Sequence, residues 1–303
     1  MQTLEALSRT INSIEDLQSV VRTMKALAMV NLRQYEKARL SLTDYNHTIE
    51  LGLQALLQHR HFSDSPLAQI PLATSQPKRS TVGVIIFGSD HGLCGQFNEQ
   101  IVNYTFQELR QLQIPLENCQ WLAIGARLIP YLDQQPIQDQ FALPSSLAGT
   151  PQLLQDLLTA IEQWCFSPIN HGPIGQILLS YNRAISSNAY KPSNLSLLPL
   201  DRQWLRELEE RPWQSNSIPM ISGDWESLFS AVIRQYLFAS LYQATVESFA
   251  SENAARLSAM QTAEKNIEER LLDLHGDYRQ QRQNSITEEL LDIVSGFEAL
   301  KKF

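Results

Sequence analysis

LSRTINSIEDLQSVVRTMKALAMVNLRQYEKARLSLTDYNHTIELGLQAL runs from Leu7 to Leu56, and its rhythm decides the fold. Every seventh residue, Leu7, Ile14, Val21, Ala28, Tyr35, Leu42, Ile49 and Leu56, is apolar or aromatic. The companion series, Leu4, Ile11, Gln18, Lys25, Leu32, Arg39, Asn46 and Leu53, is half polar. Apolar residues kept at two positions of a heptad predict a left-handed coiled coil rather than a helix lying on a globular domain. The polar interruptions weaken that seam and leave room to set register. At 1.5 Å per residue the helix would be roughly 80 Å long, more than the width of an ordinary domain.

The positions of proline extend the reading outward. All fourteen prolines lie between Pro66 and Pro219. Because proline breaks a helix interior, the two proline-free ends predict two long helices around a compact insert. The second helix is expected from Asp224 to Phe303, with Asp224 as its N-cap after Gly223. Its segment Phe249 to Ala263 is full of small residues (Ala250, Ser251, Ala254, Ala255, Ser258, Ala259, Ala263), which let two helices approach closely. Two stripes at spacing three to four follow, Ile267, Leu271, Leu274, Tyr278 and then Ile286, Leu290, Ile293, Phe297, Leu300. The two ends can pair as an antiparallel coil.

The middle alternates strand-like and helix-like stretches. Strands are expected at 81–87, 119–124, 175–181 and 195–200, and helices at 96–113, 126–132 and 151–164. A short helix is expected within 201–211. Such alternation predicts a mainly parallel α/β sheet. The expected fold class is therefore α/β: a long antiparallel coiled coil of the terminal helices with a central Rossmann-like domain. Its divisions are residues 1–60, 61–222 and 223–303, with 61–80 and 201–222 as connections.

Composition narrows the function classes. Apolar residues make up 43% and charged residues 18%, enough for a sizeable core. A net charge of −8 and an isoelectric point near 5.3 argue against nucleic acid as the main partner. Three unpaired-looking cysteines, Cys94, Cys119 and Cys165, fit a reducing compartment. The longest apolar runs fall short of a membrane span, and no signal pattern opens the chain.

The most suggestive chemistry is FGSDHGLCGQFN, Phe87–Asn98, a glycine-rich turn after a β-branched run. A dinucleotide turn needs Gly-x-Gly-x-x-Gly and an acid at the end of the second strand; here the glycines are Gly88, Gly92 and Gly95 and no acid follows Ile124-Gly125. A P-loop needs a lysine that this turn lacks. Cys94 near a helix start with His91 nearby is a weak nucleophile candidate, and Asp90 is a candidate backbone cap. His59 and His61 read as a solvated helix end. No catalytic, cofactor-binding or metal-binding residue is assigned. A nucleotide-dependent α/β enzyme and an unrelated coiled-coil scaffold stay open as alternatives.

Several stretches together resemble one family. RTINSIEDLQSVVRTMKALAMVNL (Arg9–Leu32), ASENAARLSAMQTAEKN (Ala250–Asn266) and RQNSITEELLDIVSG (Arg282–Gly296) resemble the opening and closing helices of the gamma subunit of F-type ATP synthases. SDHGLCGQFN, SYNRA (Ser180–Ala184) and LLPL (Leu197–Leu200) are similar to stretches of its middle. The resemblance implies a non-catalytic central rotor stalk that couples ion flow to ATP synthesis or hydrolysis. Its implied partners are the hexamer of alpha and beta subunits, the epsilon subunit and the membrane ring of c subunits, on the cytoplasmic side of the membrane. It also implies partner contacts at Met24, Lys25, Arg256, Arg282 and Gln283. The tip residues Ile286, Leu290, Ile293, Val294 and Phe297 would enter an apolar sleeve or pack internally. His91 and Gln96 depart from the family's turn and Ser8-Arg9-Thr10 is a thin basic start; these point to a divergent branch, such as the alternative sodium-linked type, and leave the coupling ion open.

Overall fold

The computed structural model describes residues 3–60, 81–132, 135–144, 146–166, 174–186, 189–217 and 219–300, with Arg60 and 297–300 described by backbone alone. Two helices dominate, α1 (Leu4–Arg60) and α5 (Trp225–Leu300). Asp224 caps α5 as its position suggested: its carboxylate accepts from the Ser227 backbone N–H at 2.9 Å and from the Ser227 hydroxyl at 2.8 Å. Those bonds, the hydroxyl first, lower the Asp224 pKa.

The chain divides into two compact units, and both long helices contribute to each. The helix-pair unit is Met1–Met29 with Arg256–Phe303; the sheet unit is Val30–Ala255. In the helix-pair unit the two segments run antiparallel. Leu7 and Ile11 pack with Leu274, and Val21 with Met260 and Ile267. All seven of the other heptad residues of the first series are buried, and Ile14 is half-buried. The expected polar series splits: Ile11, Leu32 and Leu53 are buried, whereas Gln18, Lys25, Arg39 and Asn46 lie at its half-exposed border.

The sheet unit is built on five strands: β1 (Val82–Phe87), β2 (Cys119–Ile124), β3 (Ile137–Phe141), β4 (Gln176–Ser186) and β5 (Ala189–Leu198). Their order is β3-β2-β1-β4-β5. The β1–β2, β1–β4 and β2–β3 pairs are parallel, and β4–β5 is an antiparallel hairpin. β1 is VGVIIF, buried along its whole length because both sheet faces are covered. Val84 and Ile86 face α2 (Phe97–Gln111), where Ile101, Val102 and Leu109 meet Trp121. Ile85 and Phe87 face α3 (Thr150–Phe166) and join Leu154, Leu157, Ile161 and Trp164. That second layer also takes Leu53 and Leu57 of α1, Leu205 and Leu208 of α4 (Arg202–Glu210) and Phe229, Ile233, Leu237 and Leu241 of α5.

Three expectations for the middle need correction. β3 was unforeseen, because Ile-Gln-Asp-Gln-Phe alternates half-buried and exposed at an edge and carries no apolar run. β5 begins at Ala189 rather than 195 and ends at Leu198; its Pro192 and its polar residues disguise an edge strand. The stretch expected as a helix at 126–132 is a 3-10 segment, Ala126–Tyr131, containing Pro130.

Candidate partner surface and the glycine turn

The turn after β1 is a knot of self-satisfied polar groups. Both carboxylate oxygens of Asp90 accept backbone N–H groups, from Ala126 at 2.7 Å and from Leu143 at 2.6 Å. Ala126 follows β2 and Leu143 follows β3, so one side chain ties the carboxyl ends of three neighbouring strands. In an open α/β sheet a nucleotide phosphate takes N–H groups in that region. Here the chain's own carboxylate takes them. Gly125 has φ +101°, and a Cβ on it would lie 2.8 Å from the Ser89 nitrogen, so only glycine lets the second strand's end approach the turn.

Cys94 is buried in the same turn. Its Sγ lies 3.5 Å from the Ser89 hydroxyl and 3.8 Å from the backbone carbonyl of His91. The His91 side chain is exposed, so the thiol meets that residue's carbonyl. A Cys–His nucleophile needs the ring turned toward the sulfur. Burial pushes the Cys119 thiol up to about 11 and also raises that of Cys165, with Glu162 adding to the latter. His59 Nε2 lies 2.8 Å from the carbonyl of Pro219; His61 lies outside the described residues. Among the described residues no group of three metal-ligating side chains occurs.

Stretches distant in sequence converge here. Ala255 of α5 packs with Cys94 and Phe97 of the turn, and Tyr190 of β5 closes the cluster. One turn earlier, Ser251 donates its hydroxyl hydrogen to the Asn182 carbonyl at 2.9 Å. The small residues that open this part of α5 thus bring the sheet's hairpin and the glycine turn close.

In the helix-pair unit the expected contact residues differ among themselves. Met24 is half-buried against Val21, Met260 and Ile267. Lys25 is ion-paired with Glu264, which also takes the Arg22 guanidinium at 3.0 Å; Arg22 reaches Glu268 at 3.4 Å. The hydrogen bond from Lys25, and next that from Arg22, hold the Glu264 carboxyl below its ordinary pKa. Arg256 is half-buried, while Arg282 and Gln283 are exposed.

The tip stripe is a surface. Ile286, Leu290, Ile293 and Val294 are 48–58% exposed. Leu291, at 59%, belongs with them and escaped the spacing argument. The Phe297 side chain lies outside the described residues. On α1, Leu17, Val20 and Leu27 are each at least half exposed, which the heptad count missed because it followed only the buried seam. No described helix is long and apolar enough to cross a membrane.

Residues 3–300 match the model of the family described as ATP synthase. The chain is 28% identical over 303 residues to the ATP synthase gamma chain of Sulfurovum sp., covering 99% of this chain and 100% of that one. It is 26% identical over 323 residues to the ATP synthase gamma chain of Nostoc punctiforme, covering 99% and 100%. Among solved structures it is similar to a chain of the Euglena gracilis mitochondrial ATP synthase OSCP/F1/c-ring assembly, with TM-score 0.62, 15% identity and coverage of 98% and 94%. It is also similar to a chain of the Tetrahymena thermophila mitochondrial ATP synthase central stalk and c-ring, with TM-score 0.54, 21% identity and coverage of 80% and 99%.

Proposed function

The chain belongs to the ATP synthase family, and from that premise we propose that it is the gamma-type central rotor stalk of an F-type ATP synthase. It couples ion flow through a membrane ring to ATP synthesis or hydrolysis at sites carried by alpha and beta subunits, and does no chemistry itself. The observation that carries this reading is the exposed apolar tip of α5, Ile286 to Val294, at the end of a proline-free helix. A water-soluble chain leaves such a patch bare when another protein covers it.

The partners proposed are alpha and beta subunits around the helix pair, and an epsilon subunit with a ring of c subunits against the sheet domain. The chain is peripheral to the membrane on its cytoplasmic side. Its working divisions are residues 1–60, 61–222 and 223–303, two helices and the domain between them. Arg282 and Gln283 contact a beta-subunit loop, and the tip Ile286, Leu290, Ile293, Val294 and Phe297 enters an apolar sleeve. Met24, Lys25 and Arg256 lie where a moving beta domain meets the helices. Lys25 does so while bound to Glu264, so its ammonium presents a fixed charge rather than a searching one. No nucleic acid and no cofactor is required.

Purification of the tagged chain from its own cells, under conditions that keep membrane complexes intact, tests the assignment. Alpha-, beta- and epsilon-like subunits should come with it; their absence would overturn the stalk reading. Equilibrium binding of labelled ATP and NAD to the full chain should give no specific signal, and saturable binding of either would favour an enzyme instead.

A further inference from the structure

We propose that Glu247 fastens the sheet to both long helices against shear, acting as a positioning residue through which torque passes from the sheet domain to α1 and α5. This deepens the rotor reading and rests on it. The contact lies wholly within the sheet unit.

Glu247 sits on α5 with its side chain only 3% exposed. One carboxylate oxygen accepts the backbone N–H of Ala184 on β4 at 3.2 Å. The other lies 3.9 Å from the guanidinium of Arg39 on α1. A single side chain therefore touches three elements: the helix that bears it, the partner helix and the hairpin. Ala184 stands where the β4–β5 register shifts, two residues after Asn182, whose carbonyl takes the Ser251 hydroxyl. Positions 247, 251 and 255 follow at spacing four, so Glu247, Ser251 and Ala255 share one face of α5 and meet the hairpin and the glycine turn in succession.

The physical argument is a contrast between two kinds of contact. Apart from the Ser251 hydrogen bond to Asn182, the grip of the sheet unit on α5 described above is apolar, through Ile233, Leu237, Leu241 and Ala244. Dispersion and hydrophobic burial hold surfaces together but are non-directional, so they oppose sliding weakly. A charge-assisted hydrogen bond in a low-dielectric interior is directional and stiff. A buried carboxylate is also costly, and a well-packed apolar side chain is often the more stable choice at such a place. What Glu247 adds over Leu or Met is direction. A rotor stalk needs direction here, because torque entering at the sheet must reach two helices that continue unbroken into the other unit. Tyr181 beside it has its phenol pKa raised, by burial first and then by the Glu247 carboxylate.

The test uses the assembled complex, with the alpha–beta ring fixed and a probe on the sheet domain. Angular fluctuation of the probe during a catalytic dwell reports torsional stiffness. E247A should lower stiffness and the ions pumped per ATP, with unloaded ATP hydrolysis close to wild type, because the apolar contacts that remain do not replace a directional bond. E247Q, which keeps an acceptor for the Ala184 N–H, should fall between, and R39K, which keeps the cation, should lie near wild type. Stiffness and ion-to-ATP ratio unchanged in E247A overturn the proposal while leaving the stalk reading standing. If E247A does not assemble, E247Q decides in the same way. Amide exchange of Ala184 in the full chain gives an independent check, since unchanged exchange in E247A would mean the contact is not made. A wild-type chain that never assembles with alpha and beta subunits overturns the stalk reading itself.

Discussion

The same two helices are held in two different ways. In the helix-pair unit the seam is narrow. A few aliphatic residues, Leu7, Ile11, Val21, Met260, Ile267 and Leu274, are flanked by ion pairs, and Leu17, Val20 and Leu27 face outward. In the sheet unit the helices are sunk into a shared core, with Tyr35 stacked on Phe249 at 5.0 Å and small residues of α5 set against the hairpin. A helix with one partner keeps most of its surface for others. A helix packed against a sheet and other helices gives most of its surface to the fold. The first region is suited to meeting changing partners, and the second to holding one arrangement.

Substitutions should separate the two regions by size of effect. Trp121→Ala, in the sheet core, is expected to lower stability by about 3–5 kcal/mol, whereas Val21→Ala in the narrow seam should cost roughly 1–2 kcal/mol. Denaturant midpoints at constant slope would check this, and equal losses would remove the distinction. Asp90→Ala should rank next, at about 2–4 kcal/mol, because it leaves two backbone N–H groups without their acceptor. If D90A matched wild type in thermal melting, the carboxylate would not be tying the strand ends.

The seam's ion pairs predict a pH response confined to one region. Glu264 has its folded-state pKa below the unfolded value, so its contribution is present above the ordinary carboxylate range and is lost as pH falls through the depressed value. Amide protection in residues 256–278, measured against the intrinsic exchange rate at each pH, should fall on acidification in wild type, and less so in E264Q. Protection in β1 should hold over the same window. The smallest effect on stability belongs to the tip. Ile286→Ser with Leu290→Ser should change the unfolding free energy by less than about 0.5 kcal/mol, because both side chains are exposed. Capture of alpha and beta subunits should nevertheless fall. Arg282→Ala with Gln283→Ala should lower ATP-driven rotation with no change in melting, and unchanged rotation would remove those two residues from the contact surface.

The two regions also differed in how plainly the sequence announced them. The heptad positions from Leu7 to Leu56, the missing prolines and the Asp224 cap are local signals, and each led directly to an element. β3 and the early part of β5 were hidden, because edge strands are defined by the neighbour they pair with and not by an apolar run. Asp90 was legible as a backbone cap, but the two N–H donors it accepts from, 36 and 53 residues away, were not. The tip stripe was visible as a pattern, yet the same spacing describes a buried seam and a bare surface. Only the exposure of Ile286, Leu290 and Ile293 decides between them. Glu247 gave no signal at all, since one glutamate in a charged helix looks like any other until Ala184 and Arg39 are placed beside it.

β5 forms an edge of the sheet, and such a border invites a second copy to add its own strand. Pro192 fits an edge strand only where its nitrogen faces the open side, and it offers no hydrogen there; its neighbour Lys191 is exposed and stands opposite Arg183. Two cations and a missing donor make that border a poor template for self-pairing. For a rotor stalk, the blunted edge works against pairing with a second copy of itself as well as against aggregation.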